Sequence, residues 1–406
     1  MKILAISHSC TADVNQQLFV ELSELPGTEV QLVVPARWRQ DYSTQKLPPK
    51  VLPQVQFKVH ALPVFAPGSL HLHFYLHGLR EVLKQYRPDV VFVDEEPWSV
   101  VLMQTGRLCA RLKIPFVPYT KQNILKRYPL LFRWIERHTY RHATGIVALS
   151  EEVRDVLRAK GYRGECPLLP HACDLSLFHP GRSEDLRKTL KLSGIVIGYL
   201  GRLVPEKGLE TIVEAAKQLV AVSHVIPFTV LLVGAGSHEN DLKEMVARAG
   251  LQGHFVFTGA VPHSEAGDYL RCMDIFVLPS RTTPSWKEQF GRVIVESMAC
   301  GVPVVGSDSG HIPYLIEETG GGLVFREGNA HDLSEKLGSL MNDPELLRSL
   351  GEVGGKAVRA NYTYPSIAGK LLEILKSLSS RRNSDKIPTG AVNKTGKTEG
   401  SMRCAE

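Results

Sequence analysis

The sequence predicts an α/β protein built as two doubly wound parallel-sheet domains in series that face a central cleft. Three observations carry this reading. Short β-branched runs alternate with longer helical patterns along the chain. At 406 residues the chain is too long for one ordinary core. A second alternating series starts midway, at Ile195-Val-Ile-Gly-Tyr-Leu-Gly201. Sheets of this kind place ligand sites at the carboxyl ends of their strands, so two facing sheets would share a site in the cleft between them.

In the first half the expected strands are Lys2–Ser7, Glu29–Val34, Val55–Val59, Val90–Val93, Phe116–Tyr119 and Gly145–Ala148, with helices such as Asn15–Glu24 and Leu72–Gln85 between them. In the second half they are Ile195–Gly201, Phe228–Val233, Phe255–Phe257, Ile275–Leu278, Val304–Gly306 and Gly322–Phe325. Helices are expected there over Gly208–Val222, His238–Ala249, Ala266–Arg271, Arg292–Ala299 and Ala330–Asn342, the longest with the apolar spacing of one covered face. The chain divides into a first domain at 1–175 and a linker at 176–190 that holds Pro180-Gly181 and a charged run. A second domain follows at 191–360, then a helix at 361–378 returning toward the first domain. Residues 379–406, rich in Ser, Lys, Arg and Gly with almost no large apolar side chains, read as a disordered tail.

An apolar fraction of 43% with 22% charged residues is that of a soluble globular protein. The net charge of +6 suits anionic substrates or a membrane surface and is too small to point to nucleic acid. Cysteines 10, 109, 166, 173, 272, 300 and 404 are scattered, odd in number and without a Cys-x-x-Cys pair, which reads as reduced cytosolic thiols and no metal site. The apolar run after Met1 is too short for a signal peptide, and 18 consecutive apolar residues occur nowhere. These observations together predict a cytoplasmic protein.

Four places in the second half suit one kind of ligand. Glu288 and Glu296 stand eight residues apart around a Gly-containing turn, the second on an apolar helix. At 1.5 Å per residue they would be up to about 12 Å apart, roughly the span of a nucleotide sugar from ribose to hexose. The helix after Gly291 would aim free N–H groups at a diphosphate between them. Gly201-Arg202-Leu-Val-Pro-Glu206-Lys207-Gly208 sets two cations, Arg202 and Lys207, at the start of another helix, where they would neutralise that diphosphate. Gly234-Ala-Gly236 is a Gly-x-Gly turn without the rest of a nicotinamide fingerprint, and a tight turn explains it as well. Thr258-Gly259-Ala-Val261-Pro-His263 would cradle a base through its backbone or simply connect two elements. Gly351-Glu-Val-Gly354-Gly355-Lys356-Ala357 has the wrong spacing for a P-loop and lacks its Ser or Thr.

The ordered series Gly-Arg-Leu…Glu-Lys-Gly, Val-Gly-Ala-Gly, Asp-Ile-Phe-Val-Leu-Pro-Ser and Glu-x7-Glu followed by Ala-Cys-Gly-Val-Pro-Val-Val resembles family 4 of the retaining glycosyltransferases, from Ile195 to about Asn342. Val147–Ser150 and Leu169–Pro180 match family landmarks more loosely. The resemblance implies the GT-B fold of two Rossmann-like domains, a nucleotide-sugar donor, no metal and no cofactor beyond the substrate. It assigns catalytic roles to Arg202 and Lys207, which would bind the diphosphate and stabilise the leaving group, and to Glu288, which would contact the donor hexose. Phe290, Gly291 and Arg292 would offer backbone N–H groups, Glu296 would bind the ribose, and Val261 lies in the donor-side turn. The Asp-x-Asp pair of metal-dependent glycosyltransferases is absent from the chain.

The first half departs from the family pattern. The loop after the first strand reads Ser7-His8-Ser9-Cys10-Thr11-Ala12-Asp13 in place of a glycine pair, and Thr120-Lys121-Gln122-Asn123 stands where many members carry a His. Acceptor-side candidates are His8, Glu95, Glu96, Lys121, Gln122 and Asn123. His8 and His171 either face the cleft or are structural, and Asp94-Glu95-Glu96-Pro97 either binds an acceptor or is a solvated acidic turn. Residues 121–142 interleave Lys121, Lys126, Arg127, Arg133, Arg137 and Arg141 with Leu130, Leu131, Phe132, Trp134 and Ile135. That pattern is a helix packing its apolar stripe on the sheet, a basic surface for an anionic membrane and a lipid-linked acceptor, or a cluster that attracts the phosphates of the donor or acceptor. The expected function is transfer of a hexose to a sugar or lipid-linked hydroxyl. A nucleotide-sugar epimerase or hydrolase and a non-catalytic nucleotide-sugar binder are the alternatives.

Overall fold

The structure, a computed structural model, describes residues 1–39, 45–221 and 226–384. The first-half strands are β1 (Lys2–Ser7), β2 (Glu29–Pro35), the short antiparallel pair β3 (Trp38–Arg39) and β4 (Lys46–Leu47), and β5 (Val59–Leu62). A second short pair, β6 (Val64–Phe65) and β7 (Phe74–Tyr75), is followed by β8 (Val90–Asp94), β9 (Phe116–Thr120) and β10 (Val147–Ala148). Six of them form a parallel sheet in the order β10-β9-β8-β1-β2-β5. The second sheet holds β11 (Ile195–Leu200), β12 (Phe228–Val233), β13 (Phe255–Gly259), β14 (Ile275–Leu278), β15 (Val304–Ser307) and β16 (Gly322–Phe325), in the order β13-β12-β11-β14-β15-β16.

Helices of the first half are α1 (Gln17–Glu24), α2 (Leu79–Tyr86), α3 (Val100–Leu112), α4 (Leu130–His142) and α5 (Glu151–Ala159), and α6 (Glu184–Thr189) precedes β11. The second half adds α7 (Glu210–Val220), α8 (Glu239–Arg248), α9 (Ala266–Leu270), α10 (Arg292–Ala299), α11 (Ile312–Thr319) and α12 (Ala330–Asn342). Two long helices, α13 (Pro344–Asn361) and α14 (Tyr364–Ser384), end the described chain. Side chains alternate across the first sheet with period two. Ile3, Ala5, Leu32 and Val34 enter one core, while Leu4, Ile6 and Val33 enter the other with α2 and α3 residues. Burial on both faces is why these strands read as continuous apolar runs.

In both sheets the strand order reverses beside the first strand, between β1 and β8 and between β11 and β14. Loops leaving adjacent strands in opposite directions open a crevice there, where a ligand can reach the backbone. The residues after β1 and β8 are therefore His8 and Glu95-Glu96, and those after β11 and β14 are Gly201-Arg202 and Pro279-Ser280.

Several boundaries differ from the sequence reading. The strand expected at Val55–Val59 begins only at Val59, where Leu32 of β2 offers a partner, and Val55 is instead turned back by a bond to the Leu52 carbonyl. The helix expected over Leu72–Gln85 splits at Gly78 (φ +89°), leaving β7 before it and α2 after it. Within the stretch read as linker, α6 belongs to the second domain: buried Arg187 donates to the Cys272 and Gly194 carbonyls at 2.6 and 3.1 Å. Helix α14 packs along α1, and it continues through Ser384, past the expected start of the tail at 379. Residues 385–406 lie outside the described residues.

Candidate active site between the two sheets

On the second-domain wall, the turns after β11, β12 and β13 lie backbone on backbone. The Gly201 N–H donates to the Val233 carbonyl, Leu203 to Ala235 and Gly234 to Gly259, at 2.9–3.0 Å. A Cβ on Gly234 would come within 1.8 Å of the Gly201 carbonyl oxygen, and one on Gly236 within 2.1 Å of that of Leu203. The Gly-x-Gly pair thus lets neighbouring loops touch.

Arg202 extends from this wall half-exposed, with Glu206 as its nearest acid at 3.8 Å. Lys207 closes the 3-10 turn Pro205–Lys207 and reaches the loop after β14. Its Nζ meets Oε2 of Glu288 at 2.6 Å, and the Ser280 hydroxyl donates to the same oxygen at 2.9 Å. The ammonium also lies 4.9 Å from the Trp286 ring centroid. With 14% and 11% of their side chains exposed, Lys207 and Glu288 form a nearly dry ion pair. Glu288 is thus held out of solvent in its loop.

The backbone of Glu288 is gripped from two sides. Its carbonyl accepts from the His311 N–H at 3.2 Å and from Nδ2 of Asn123, in the first domain, at 2.9 Å. A second link across the cleft pairs Lys287 with Glu152 of α5 at 2.6 Å. Asn123, expected on the acceptor side, is therefore buried against the Glu288 loop.

Helix α10 starts after Gly291 (φ +78°) with no side-chain cap, so its first N–H groups have no side-chain acceptor. Phe290 is buried, its ring parallel to that of His311 at 5.7 Å and edge-on to His171 at 5.4 Å. Arg292 lines the cleft. Glu296 lies one turn further on, where burial raises its carboxyl above the usual range against the pull of Arg292 and His263. Val261, in the loop after β13, is partly buried against the core.

A cavity of about 550 Å³ lies between the sheets, lined by His8, Glu95, Glu96, Lys121, Gln122 and His171 on one side and by Gln289 and Arg292 on the other. The acids after β8 are far from solvated. Asp94 accepts from the Ser7 and Ser9 hydroxyls at 3.0 Å and pairs with Lys121 at 2.8 Å. Glu96 accepts from the Thr120 hydroxyl at 2.5 Å and the Lys121 N–H at 2.9 Å, and burial raises its carboxyl. Glu95 is buried, with His8 Nδ1 at 2.8 Å from both its oxygens. Burial works against that charge, but His8 and His73 hold the carboxyl far below its usual range. Burial similarly opposes a charged His8, yet Glu95 raises the ring above its ordinary value. His171 is kept neutral by burial, with Lys121 and Arg292 adding to the effect.

The sequence reading missed Ser280, Trp286, Gln289 and His73. Ser280 and Trp286 lie within eight residues of Glu288, so a closer reading of that loop had them within reach. His73 sits in the stretch mistaken for a helix. For residues 121–142 the packed-stripe reading holds only in part: Ile135 is buried, while Leu130, Leu131 and Trp134 are 79%, 59% and 49% exposed. Lys126, Arg127, Arg133, Arg137 and Arg141 surround them, exposed. No helix among the described residues is long and apolar enough to cross a membrane.

Two parallel sheets with facing switch points, and an anion-suited wall on one of them, define a GT-B protein. Residues 182–357 match the family Glycosyl transferases group 1 and residues 12–168 match the Glycosyl transferase 4-like domain, and the chain belongs to these glycosyl transferases. It is 31% identical over 216 residues to a GDP-mannose-dependent monoacylated alpha-(1-6)-phosphatidylinositol monomannoside mannosyltransferase of Corynebacterium glutamicum, a match covering 52% of this chain and 55% of that protein. The chain thus spans little more than half the length of that relative. A D-inositol 3-phosphate glycosyltransferase of Nocardia farcinica is 26% identical over 86% of this chain and 75% of its own. In fold the chain is similar to Anabaena HepE, solved in complex with UDP (TM-score 0.73, 19% identity, 93% of this chain and 100% of that one).

Proposed function

We propose that the chain is a retaining glycosyltransferase that moves a hexose from a nucleoside diphosphate sugar to an acceptor hydroxyl, with no metal at the diphosphate and no further cofactor. The observation that carries this reading is the buried Lys207–Glu288–Ser280 cluster at the second sheet's switch point, with the uncapped start of α10 in the same loop. Arg202, Lys207 and the α10 N–H groups supply fixed positive potential for a diphosphate, strongest as the leaving group gains charge. Glu288, held by Ser280, takes the hexose hydroxyls, and Glu296 takes the ribose. The bond from the anomeric carbon to the diphosphate breaks as the acceptor oxygen bonds on the same face, and the acceptor proton passes to the departing phosphate oxygen. The names of the relatives, one dependent on GDP-mannose, support a nucleotide-sugar donor.

The acceptor binds in the cavity against Glu95, Glu96, Lys121 and Gln122. Exposed Leu130, Leu131 and Trp134 among five exposed basic residues favour a lipid-linked acceptor reached from the cytoplasmic face of a membrane.

Glu288→Gln tests the assignment, since the amide keeps the size of the side chain and can still accept from Ser280. Transfer from nucleoside diphosphate hexoses falls at least about 100-fold in a variant that still melts cooperatively, at a temperature lowered by the loss of the Lys207 ion pair. Near-normal turnover would sink the reading, as would a product of inverted anomeric configuration or release of free hexose in place of transfer.

A further inference from the structure

The fold brings three metal-ligating side chains from three distant segments to one point on the first-domain side of the cavity. Parallel pairing of Ser7 with Asp94 sets His8 beside Glu95, and His73 enters at the start of β7. The ligand atoms of His8, His73 and Glu95 all lie within 4.8 Å of one another. His73 is fully buried, and its Nδ1–H donates to the Ser69 carbonyl at 2.9 Å. That bond occupies Nδ1 and leaves Nε2, which has no hydrogen-bond partner, facing Oε1 of Glu95 at 3.5 Å. A ring nitrogen and a carboxylate held this close inside the protein need a cation between them, a proton on the ring or a metal ion in its place. A ring nitrogen anchored to a backbone carbonyl is also how metal-bound histidines are oriented. Trp38 packs against both imidazoles at 4.9 Å, fixing their planes.

We propose that His8, His73 and Glu95 form a binding site for a divalent transition-metal ion, Zn²⁺ being the best match to two imidazoles and a carboxylate. Ligand bonds of about 2.0–2.2 Å require the His8–Glu95 contact to open by roughly half an ångström, and the proton at His8 Nδ1 gives way to the ion. His8 and Glu95 line the cavity, so the remaining coordination position faces it. Other charges near the cluster are Asp94, which favours a cation, and Lys121, whose ammonium Asp94 holds at 2.8 Å. The site is separate from the diphosphate-binding groups, and its existence does not depend on the transfer reaction.

The test is a titration of the full chain, stripped with chelator, with Co²⁺ followed by visible absorption. One equivalent binds and gives the d–d band of a four- or five-coordinate N/O site, without the thiolate charge-transfer band of a cysteine site. His73→Phe and His8→Gln each weaken binding at least about 100-fold. His8 is in a loop and 22% exposed, so its variant reports on binding even if the buried one folds poorly. His142→Gln, which breaks up the His138–His142 pair on α4 outside the cluster, leaves the band unchanged. Absence of a stoichiometric band, its survival in His8→Gln or its loss in His142→Gln would overturn the proposal.

Discussion

At the scale of single residues, the loop that carries Glu288 is fixed by backbone fit as much as by charge. Gly310 (φ +59°) lies so close that a Cβ would sit 2.1 Å from the Glu288 carbonyl oxygen. The next residue, His311, donates its N–H to that oxygen, while its ring stacks between Phe290 and Tyr314 with Nδ1 buried and unpartnered. Burial pushes the His311 imidazole down to about 4. Between that value and the usual 6.5 the unfolded chain binds a proton here and the folded chain does not. Stability contributed by the neutral ring is therefore complete above pH 6.5 and is lost as pH falls through the window toward 4. His311→Phe keeps the stacking and removes the titration. Relative to the parent, the variant gains at most about 3 kcal/mol across that window and nothing further below it. Urea midpoints of both proteins from pH 4 to 8 check this, and a difference independent of pH would refute it.

Helix α4 shows what an element reveals and what it conceals in the sequence. Its basic and apolar residues were legible as an interleaved pattern, but which apolar side chains face inward depends on α3, so the stripe could not be divided beforehand. The structure gives Ile135, Glu136 and Thr139 to the interior and leaves Leu130, Leu131 and Trp134 outside. The site divides in the same way. The side of the cleft assigned to the donor was readable because Arg202, Lys207 and Glu288 sit in turns that follow recognisable strands and Glu296 lies on the helix after the last of them. Its first-domain half was not, because His8, His73 and Glu95 become neighbours only through the β1–β8 pairing and a segment that helical spacing disguised. If α4 rests on a lipid surface, replacing Leu130, Leu131 and Trp134 with Asp abolishes sedimentation with anionic phospholipid vesicles. Turnover on a soluble acceptor analogue stays within about twofold, since exposed substitutions cost little stability. Vesicle binding that persists in the triple variant would rule the helix out as the contact.

For the whole molecule, the decisive connection is the one between domains. The groups assigned to the donor belong to the second domain, yet the Glu288 carbonyl is held by Asn123 of the first, and Lys287 in the same loop pairs with Glu152. The contact that joins the two domains is thus also one that sets Glu288, so closure of the cleft on substrate would position that loop and exclude water from the reacting centre. The link makes a distinctive kinetic prediction. Asn123→Ala removes one of two donors to the Glu288 carbonyl and leaves the other, the His311 N–H, in place. A lost hydrogen bond of about 1–1.5 kcal/mol corresponds to roughly a tenfold fall in kcat, while donor affinity, set in the second domain, stays unchanged. Lys287→Ala shows the same split to a smaller degree, because its ion pair is partly solvated. Calorimetric titration with the donor alongside steady-state turnover separates the two quantities. Equal losses in donor affinity and kcat would mean that Asn123 supports the donor pocket directly and that closure is not what positions Glu288.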